Sequence, residues 1–335
     1  MRATPARAHE HSSRDVKLAT TADGRRWDRA CHASGQPVTP FHTFRWLALA
    51  AAMTGTRFMP LVVRFAGEDV GVAPLMIRRR GVVSLANWLP FPYLGPLVPV
   101  DLLGASLDAL RPRENFSGVI RQQQSFAPET GVDERSLTAR GFSVRYDPTY
   151  VVDTRPTEEQ MWAALEGRCR TKIRKAEREG VLIEEAVDGS TLREVVQAAF
   201  DARDLNSGYE GAFPPSPSVL ASLHLAIRNV VATVDGHSVG GLVSIATEDR
   251  ALIWQGGVLP DFRGTHANVL LYWDAIKWAH RIGVGSIDLV GVPDEGIGRF
   301  KSQFGASLTE YVVGQRQSAF GRLIEKTRRN ALTRS

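Results

Sequence analysis

Two stretches of the chain hold residues whose types and spacing could do chemistry. In the first, Gly296-Ile297-Gly298-Arg299-Phe300-Lys301-Ser302-Gln303-Phe304-Gly305, a lone lysine stands between two aromatics with glycines on both flanks. It follows a strand-like run, Ser286-Ile287-Asp288-Leu289-Val290, and a Gly/Pro/Asp loop. A cation is thereby set just past the end of a buried strand, where clefts in sheet proteins open. A surface lysine on a short helix packed by Phe300 and Phe304 is the alternative. In the second, Arg168, Arg170, Lys172, Arg174, Lys175 and Arg178 place six cations within eleven residues, with Glu177 as the internal counter-charge. Solvated helix faces usually mix their signs. This bias points instead to an anionic partner, phosphates foremost, since Arg and Lys hold them at fixed geometry.

The elements that must position these groups are legible in outline. Thr157 and Gln160 have capping-box spacing just after Pro156, and Gly180 is a stop signal. Trp162, Leu165, Cys169, Ile173 and Ala176 recur at helical spacing, which predicts one helix from 157 to 180 with the basic columns beside its apolar stripe. Asn229–Val234 and Val239–Ala246 read as a hairpin over Asp235-Gly236-His237, and Arg250–Gly257 as a third strand holding Trp254. Pro260–Ala267 reads as a loop, Val269–Ile282 as a helix, Ile287–Val290 and Leu308–Val313 as strands. Upstream, two helices are expected between Asp23 and Met53, broken near Gly35-Gln36-Pro37 and Pro40. Val62–Ile77 is a second hairpin, with a glycine early in its second strand as in Val230–Ile245. The pair predicts a duplicated α/β domain. Trp88–Leu97, aromatic and proline-rich and holding Tyr93, reads either as the wall of a cleft or as an ordered edge strand. Phe116–Ile120 reads as a strand and Gln122–Gly131 as a loop. Strands at Phe142–Tyr146 and Thr149–Asp153 meet at Pro148, close to an expected domain boundary. The Gly/Pro/aromatic loop 204–215 is of the kind that carries substrate contacts, with Arg203 and Tyr209 its candidates and plain surface roles the alternative.

Composition bounds the rest. With 335 residues, 43% of them hydrophobic, the chain has enough for a sizeable core and fits two ordinary domains. Its two cysteines, Cys31 and Cys169, show no metal-type spacing, so neither a disulfide framework nor a metal site is expected. Residues 1–17 are polar, without the apolar core of a secretory leader, and the longest early apolar run is far short of a membrane span. A cytoplasmic location is expected. The formal charge of +5 lies in the ends: residues 1–14 carry a net +2 and residues 319–335 a net +4. The high pI therefore says little about the body of the protein.

The order hairpin, third strand, glycine-edged loop, helix, strand, C-terminal strand resembles the GNAT acyltransferase fold. Thr171-Lys172-Ile173-Arg174-Lys175-Ala176-Glu177-Arg178-Glu179-Gly180-Val181 is similar to the "IRKAEKEGV" segment of the Fem family. These are double-GNAT, peptidoglycan-bridge-type aminoacyltransferases with relatives in natural-product biosynthesis. Leu271–Ala279 followed by Gly283 and Asp288, and the Phe-Lys and Phe-Gly pairs within 296–305, match as well. The resemblance is specific over 150–312 and looser over 38–100. It implies an α/β fold of two tandem GNAT-like domains, mixed sheets flanked by helices: a leader at 1–14, domains at 15–150 and 151–318, and a basic C-terminal helix at 319–335. Two departures count. The long helical-hairpin insertion of the cell-wall enzymes is absent, and Pro260–Ala267 is a poor match to the loop with which simple GNAT enzymes cradle the CoA pyrophosphate.

What the resemblance implies chemically is transfer of an aminoacyl group from aminoacyl-tRNA, as co-substrate, to a small-molecule or peptide amine, without a bound cofactor or metal. Lys301 would do electrostatic work near the reaction centre, with Phe300 positioning it. No Ser-His-Asp or Cys-His pattern is apparent, so direct transfer is favoured over a covalent enzyme intermediate. The base stays open among Asp288, His266, His280 and an acceptor that deprotonates before binding. Arg203, Tyr209, Trp254 and Tyr93 are the substrate-contact candidates; Arg168, Lys172, Arg174 and Lys175 are the phosphate or tRNA contacts. The alternatives are an acyl-CoA or acyl-carrier N-acyltransferase of the same superfamily, and a nucleic-acid-binding module without catalysis.

Overall fold

Apolar alternation over a Gly/Asp turn builds the same core motif twice. The computed structural model describes residues 15–186, 189–202 and 215–323. These form two compact units, one from the described parts of Met1–Pro37, Phe41–Tyr146 and Tyr311–Ser335, the other from Val38–Pro40 and Asp147–Glu310. The first unit begins with β1 (Val16–Thr20), α1 (Gly24–Ala33), α2 (Phe44–Thr54), β2 (Arg57–Phe65), β3 (Glu68–Arg80), β4 (Val83–Ala86), α3 (Leu103–Phe116), β5 (Val119–Phe126) and α4 (Glu134–Thr138). Strand β6 (Ser143–Asp153) leads into α5 (Glu158–Ala164), α6 (Gly167–Arg178), β7 (Leu182–Glu185), α7 (Gly189–Asp201) and α8 (Pro217–Ala221). Then come β8 (Ala226–Val234), β9 (His237–Ala246), β10 (Ala251–Val258), α9 (Ala267–Arg281), β11 (Ser286–Asp288), α10 (Glu295–Ser302) and β12 (Ser307–Gln317).

The strands of the two units repeat one pairing scheme. In the first unit β1, β2, β3 and β4 pair antiparallel in turn, β4 pairs β5 parallel, and β5 pairs β12 antiparallel. In the second, β7, β8, β9 and β10 pair antiparallel, β10 pairs β11 parallel, and β11 pairs β6 antiparallel. Both hairpins shift register at the same place, between Val63 and Arg64 and between Ala232 and Thr233. Their glycines act alike. A Cβ at Gly71 would lie 2.3 Å from the Leu97 carbonyl, and one at Gly240 would lie 2.6 Å from a Val258 methyl. In each unit the glycine admits a neighbouring segment too close for a side chain. The closing strands are exchanged: Val312–Gln317 of β12 returns to complete the first unit's sheet, while Val151–Asp153 of β6 completes the second's. Residues 311–317 thus group with the first unit rather than with 151–310.

Three expectations change. The helix predicted over 157–180 keeps its capping box but breaks in two, because Leu165 is extended and the Glu166 amide donates to the Gln303 carbonyl. Arg170 then holds the exposed end of α5 through the carbonyls of Trp162, Ala163 and Leu165. The Gln122–Gly131 loop is a strand as far as Phe126. Two of its glutamines are held by other elements, Gln122 by Glu114 of α3 and Arg316 of β12 and Gln123 by Gln315 of β12, so a polar run sits where loop chemistry was read. Trp88–Leu97 is neither edge strand nor open wall. It is a mostly buried plug, held to β3 by the Val72–Leu97 bridge and to β5 by the Gly95 amide on the Ser125 carbonyl. The leader at 1–14 and all but the first turn of the basic C-terminal helix lie outside the described residues.

Asn87 starts the plug. It adopts φ 52°, tolerable for Asn, and its buried amide accepts from the Met76 N–H at 2.8 Å while donating to the carbonyls of Pro74 and Leu94 at 3.0 and 2.9 Å. Asn87→Ala leaves those groups without partners in a dry interior, and urea unfolding should show a loss of about 2–4 kcal/mol. A loss under about 0.5 kcal/mol would mean that water reaches the plug.

Candidate functional site

The second unit gathers its chemistry where β10 and β11 part. They pair through Ala251–Ile287 and Leu252–Asp288 only. After Asp288 the chain turns out of the sheet, while β10 runs on to Val258 paired with β9. Among the described residues, no strand pairs with the far edge of β10 from Gln255 to Val258, a half-exposed stretch containing Gly256 and Gly257. The loop after β10 passes through a 3-10 turn, Pro260–Thr265, into α9, whose N-cap is His266.

The turn out of the sheet is backbone-strained. Val290 has φ 41° and Gly291 φ 73°. A β-branched residue at positive φ is an outlier that its surroundings must hold in place. Lys301, on α10 and 3% exposed, does so. Its ammonium donates to the carbonyls of Leu289, at 2.6 Å, and of Val290 and Gly291. All three protons are thereby engaged. Asp288, fully buried, accepts from Thr149 Oγ1 at 2.5 Å and from the Val290 N–H at 2.9 Å, and its other oxygen lies 3.8 Å from the buried Arg250 guanidinium. Burial pushes the Lys301 ammonium down to about 8, partly offset by the charge of Asp288. The cap of α10 fixes the lysine in register, with Asp294 Oδ1 accepting from the Ile297 N–H at 2.8 Å. Phe300 packs edge-on against Tyr272 of α9, centroids 4.8 Å apart, and against Phe304 at 5.3 Å.

The sequence candidates are thus partly gathered. Lys301, Phe300 and Asp288 meet at the end of β11, where the geometry makes Lys301 and Asp288 anchors of the strained turn. Trp254 is buried at the bulge in β10, where the register slips between Ile253 and Gln255. Tyr93 belongs to the first unit, fully buried at φ 66° and edge-on to Tyr311. Arg203 and Tyr209 lie outside the described residues. The basic set divides. Arg174 stacks over Trp162 at 5.4 Å, on the α5 side of α6. The half-buried Lys172 and Lys175 face the start of α9, where after burial their charges hold the His266 imidazole below its usual value. Arg168 pairs with the exposed Glu166 at 2.7 Å. Sequence reasoning missed Arg250 and Thr149, which contact Asp288 across the fold, and Tyr272, which gave no signal beyond its helical phase. His280 Nδ1 lies 2.8 Å from the Thr154 carbonyl, a structural contact at the other end of α9.

Residues 165–302 match the model of an acetyltransferase (GNAT) domain. In three dimensions the chain is similar to FemX, with a TM-score of 0.66 and 15% identity over 88% of this chain and 96% of that one. It is similar to a tandem GNAT protein from the clavulanic acid biosynthesis pathway, with a TM-score of 0.58, 12% identity and 90% and 98% coverage. The C-terminal domain of a putative lysylphosphatidylglycerol synthetase from Agrobacterium fabrum gives 0.58, 15%, 90% and 95%. By sequence, no curated protein matches the chain. The protein therefore has the GNAT acyltransferase fold. Its arrangement is the tandem, Fem-like one, as FemX and the clavulanic-acid-pathway protein share it.

Lys301→Met keeps the bulk but strips three carbonyls of their donor, and unfolding at pH 7 should cost about 2–4 kcal/mol. The pH dependence is more telling. The folded value near 8 lies below the unfolded one, so between pH 8 and about 10.5 the unfolded chain binds more protons and wild-type stability rises with pH. The advantage of wild type over Lys301→Met should therefore grow across that window by up to about 3 kcal/mol. A constant difference would place the ammonium in water.

Proposed function

We propose that the protein transfers an aminoacyl group from aminoacyl-tRNA to an amine carried by a small molecule or peptide. The observation that carries this reading is the edge of β10 from Gln255 to Val258, unpaired among the described residues and followed by the start of α9, which Lys172 and Lys175 face. In the reaction the amine nitrogen attacks the ester carbonyl, the C–N bond forms, and the C–O bond to the ribose breaks. The amine's proton is lost and the leaving ribose oxygen gains one. Alternate N–H groups of β10 face the gap and are pre-aimed donors for the developing oxyanion. Lys301 and Asp288 act as positioning residues that keep the gap open. The reaction has the ester's own activation to draw on, and the acceptor enters as a free amine.

A tRNA carrier is favoured over CoA by the loop after β10. A pyrophosphate cradle needs unpaired backbone amides at the helix start. Here the Ala267 amide is taken by Thr265 Oγ1, and those of Val269 and Leu270 by the His266 carbonyl. Anion recognition falls to side chains, which suits the regularly spaced phosphates of a polyanion. Charged tRNA places this work in the cytoplasm. The acyl-CoA reading is the second candidate, supported by the GNAT domain match at 165–302.

The test is transfer from radiolabelled aminoacyl-tRNA pools and from acetyl-CoA in parallel, with a panel of amines. Amide product in the tRNA arm is expected. Lys172→Gln with Lys175→Gln should lower tRNA affinity at least about tenfold and reduce the log–log salt slope by about 1–2. Product from acetyl-CoA alone would overturn the donor, and RNA binding without transfer would leave a binding module.

A further inference from the structure

The first unit contains a cavity of about 350 Å³ that the acyl-transfer reading does not use. It lies at the far end of α3, against the start of β5 and the end of β12, and is lined by Arg111, Glu114, Asn115, Arg316, Ser318 and Arg322 among others. Its floor is built. Glu114, 3% exposed, accepts from Arg316 at 2.6 Å and from Gln122, and Arg316 is further fixed by Gln122 Oε1 at 2.7 Å and by the Phe142 ring at 4.6 Å. One carboxylate and one guanidinium are thus paired, with burial raising the Glu114 carboxyl to about 7 against the pull of Arg316. Two further guanidiniums are left over. Among the described residues Arg111 makes no hydrogen bond or ion pair, and the Arg322 side chain donates only to the Gln317 carbonyl, at 2.8 Å. Arg111 also bears on its neighbour. Burial, and then the charge of Arg111, hold the Arg316 guanidinium below its usual value against the pull of Glu114. The terminal carbonyls of α3 add only about half a negative charge, less than the two unpaired cations.

We propose that this cavity binds a small organic phosphate, its dianionic group held between Arg111 and Arg322 over the fixed Glu114–Arg316 pair. Two exposed guanidiniums in a concave, polar pocket match the charge and the fork geometry of a phosphate monoester. The volume is at the lower end for ligand sites, enough for a compact metabolite rather than a polymer. The inference stands apart from the acyl-donor reading, since none of the residues is shared.

The probe is inorganic phosphate, titrated into the full-length protein by calorimetry and by thermal unfolding at fixed ionic strength. Saturable binding in the millimolar range and a rise in Tm are expected. Arg111→Gln with Arg322→Gln, both exposed, and among the described residues giving up only the Arg322 contact to the Gln317 carbonyl, should weaken phosphate at least about tenfold while moving the unliganded Tm little. Lys172→Gln with Lys175→Gln should leave phosphate binding unchanged. The proposal is overturned if chloride at equal ionic strength gives the same shift, if the arginine pair can be removed without effect, or if the lysine variant abolishes binding.

Discussion

One ammonium group bonded to three successive carbonyls is the constraint on which the second unit's site depends. Left to itself, the chain beyond Asp288 would continue beside β10 and close its edge with another parallel pair. It turns away because Val290 and Gly291 hold left-handed backbone, a conformation costing about 1–3 kcal/mol at a β-branched residue. Burying the lysine charge adds a further cost. Both are offset by charge-assisted bonds at Leu289, Val290 and Gly291, and by Asp288, which takes the Val290 N–H. Among the described residues, the unpaired edge of β10 is what this stored strain maintains.

The first unit shows what happens without such an anchor. Its β4 and β5 also pair parallel for only three positions, from Ser84–Val119 to Ala86–Gln122. Beyond them, the space is taken by the chain itself. Asn87 turns the backbone and the segment to Leu97 fills the gap, bonded to Ser125 on one side and Val72 on the other. A duplicated scheme has thus diverged: the first unit's gap is filled by its own chain, while among the described residues no strand takes the matching edge of β10.

What the sequence revealed follows from the range of the interactions involved. The hairpins, the capping box at Thr157 and the helix before Gly283 depend on neighbours within a few residues, and they were readable. The break at Leu165–Glu166 was not, because its cause is the Gln303 carbonyl, far along the chain. Gln122 and Gln123 in β5 read as loop because their partners, Glu114, Arg316 and Gln315, are brought by other elements. Lys301 was singled out by its aromatic flanks and its place after a strand. Its bonding to backbone was hidden, since carbonyls carry no sequence signature. Helical phase put Lys172 and Lys175 apart from Arg174, but only the start of α9 and Trp162 showed which face met which neighbour.

The exchange of closing strands bears on how the protein is made. Strand β5 has its outer edge satisfied by Val312–Gln317, some 190 positions later. On the ribosome, β5 therefore waits with an unmated edge while some 190 further residues are made, a state prone to wrong partners. Its polar glutamine run and the late-arriving Arg316 then make sense together: a hydrophilic border tolerates the delay, and the right guest is recognised by a charge no passing apolar strand can imitate.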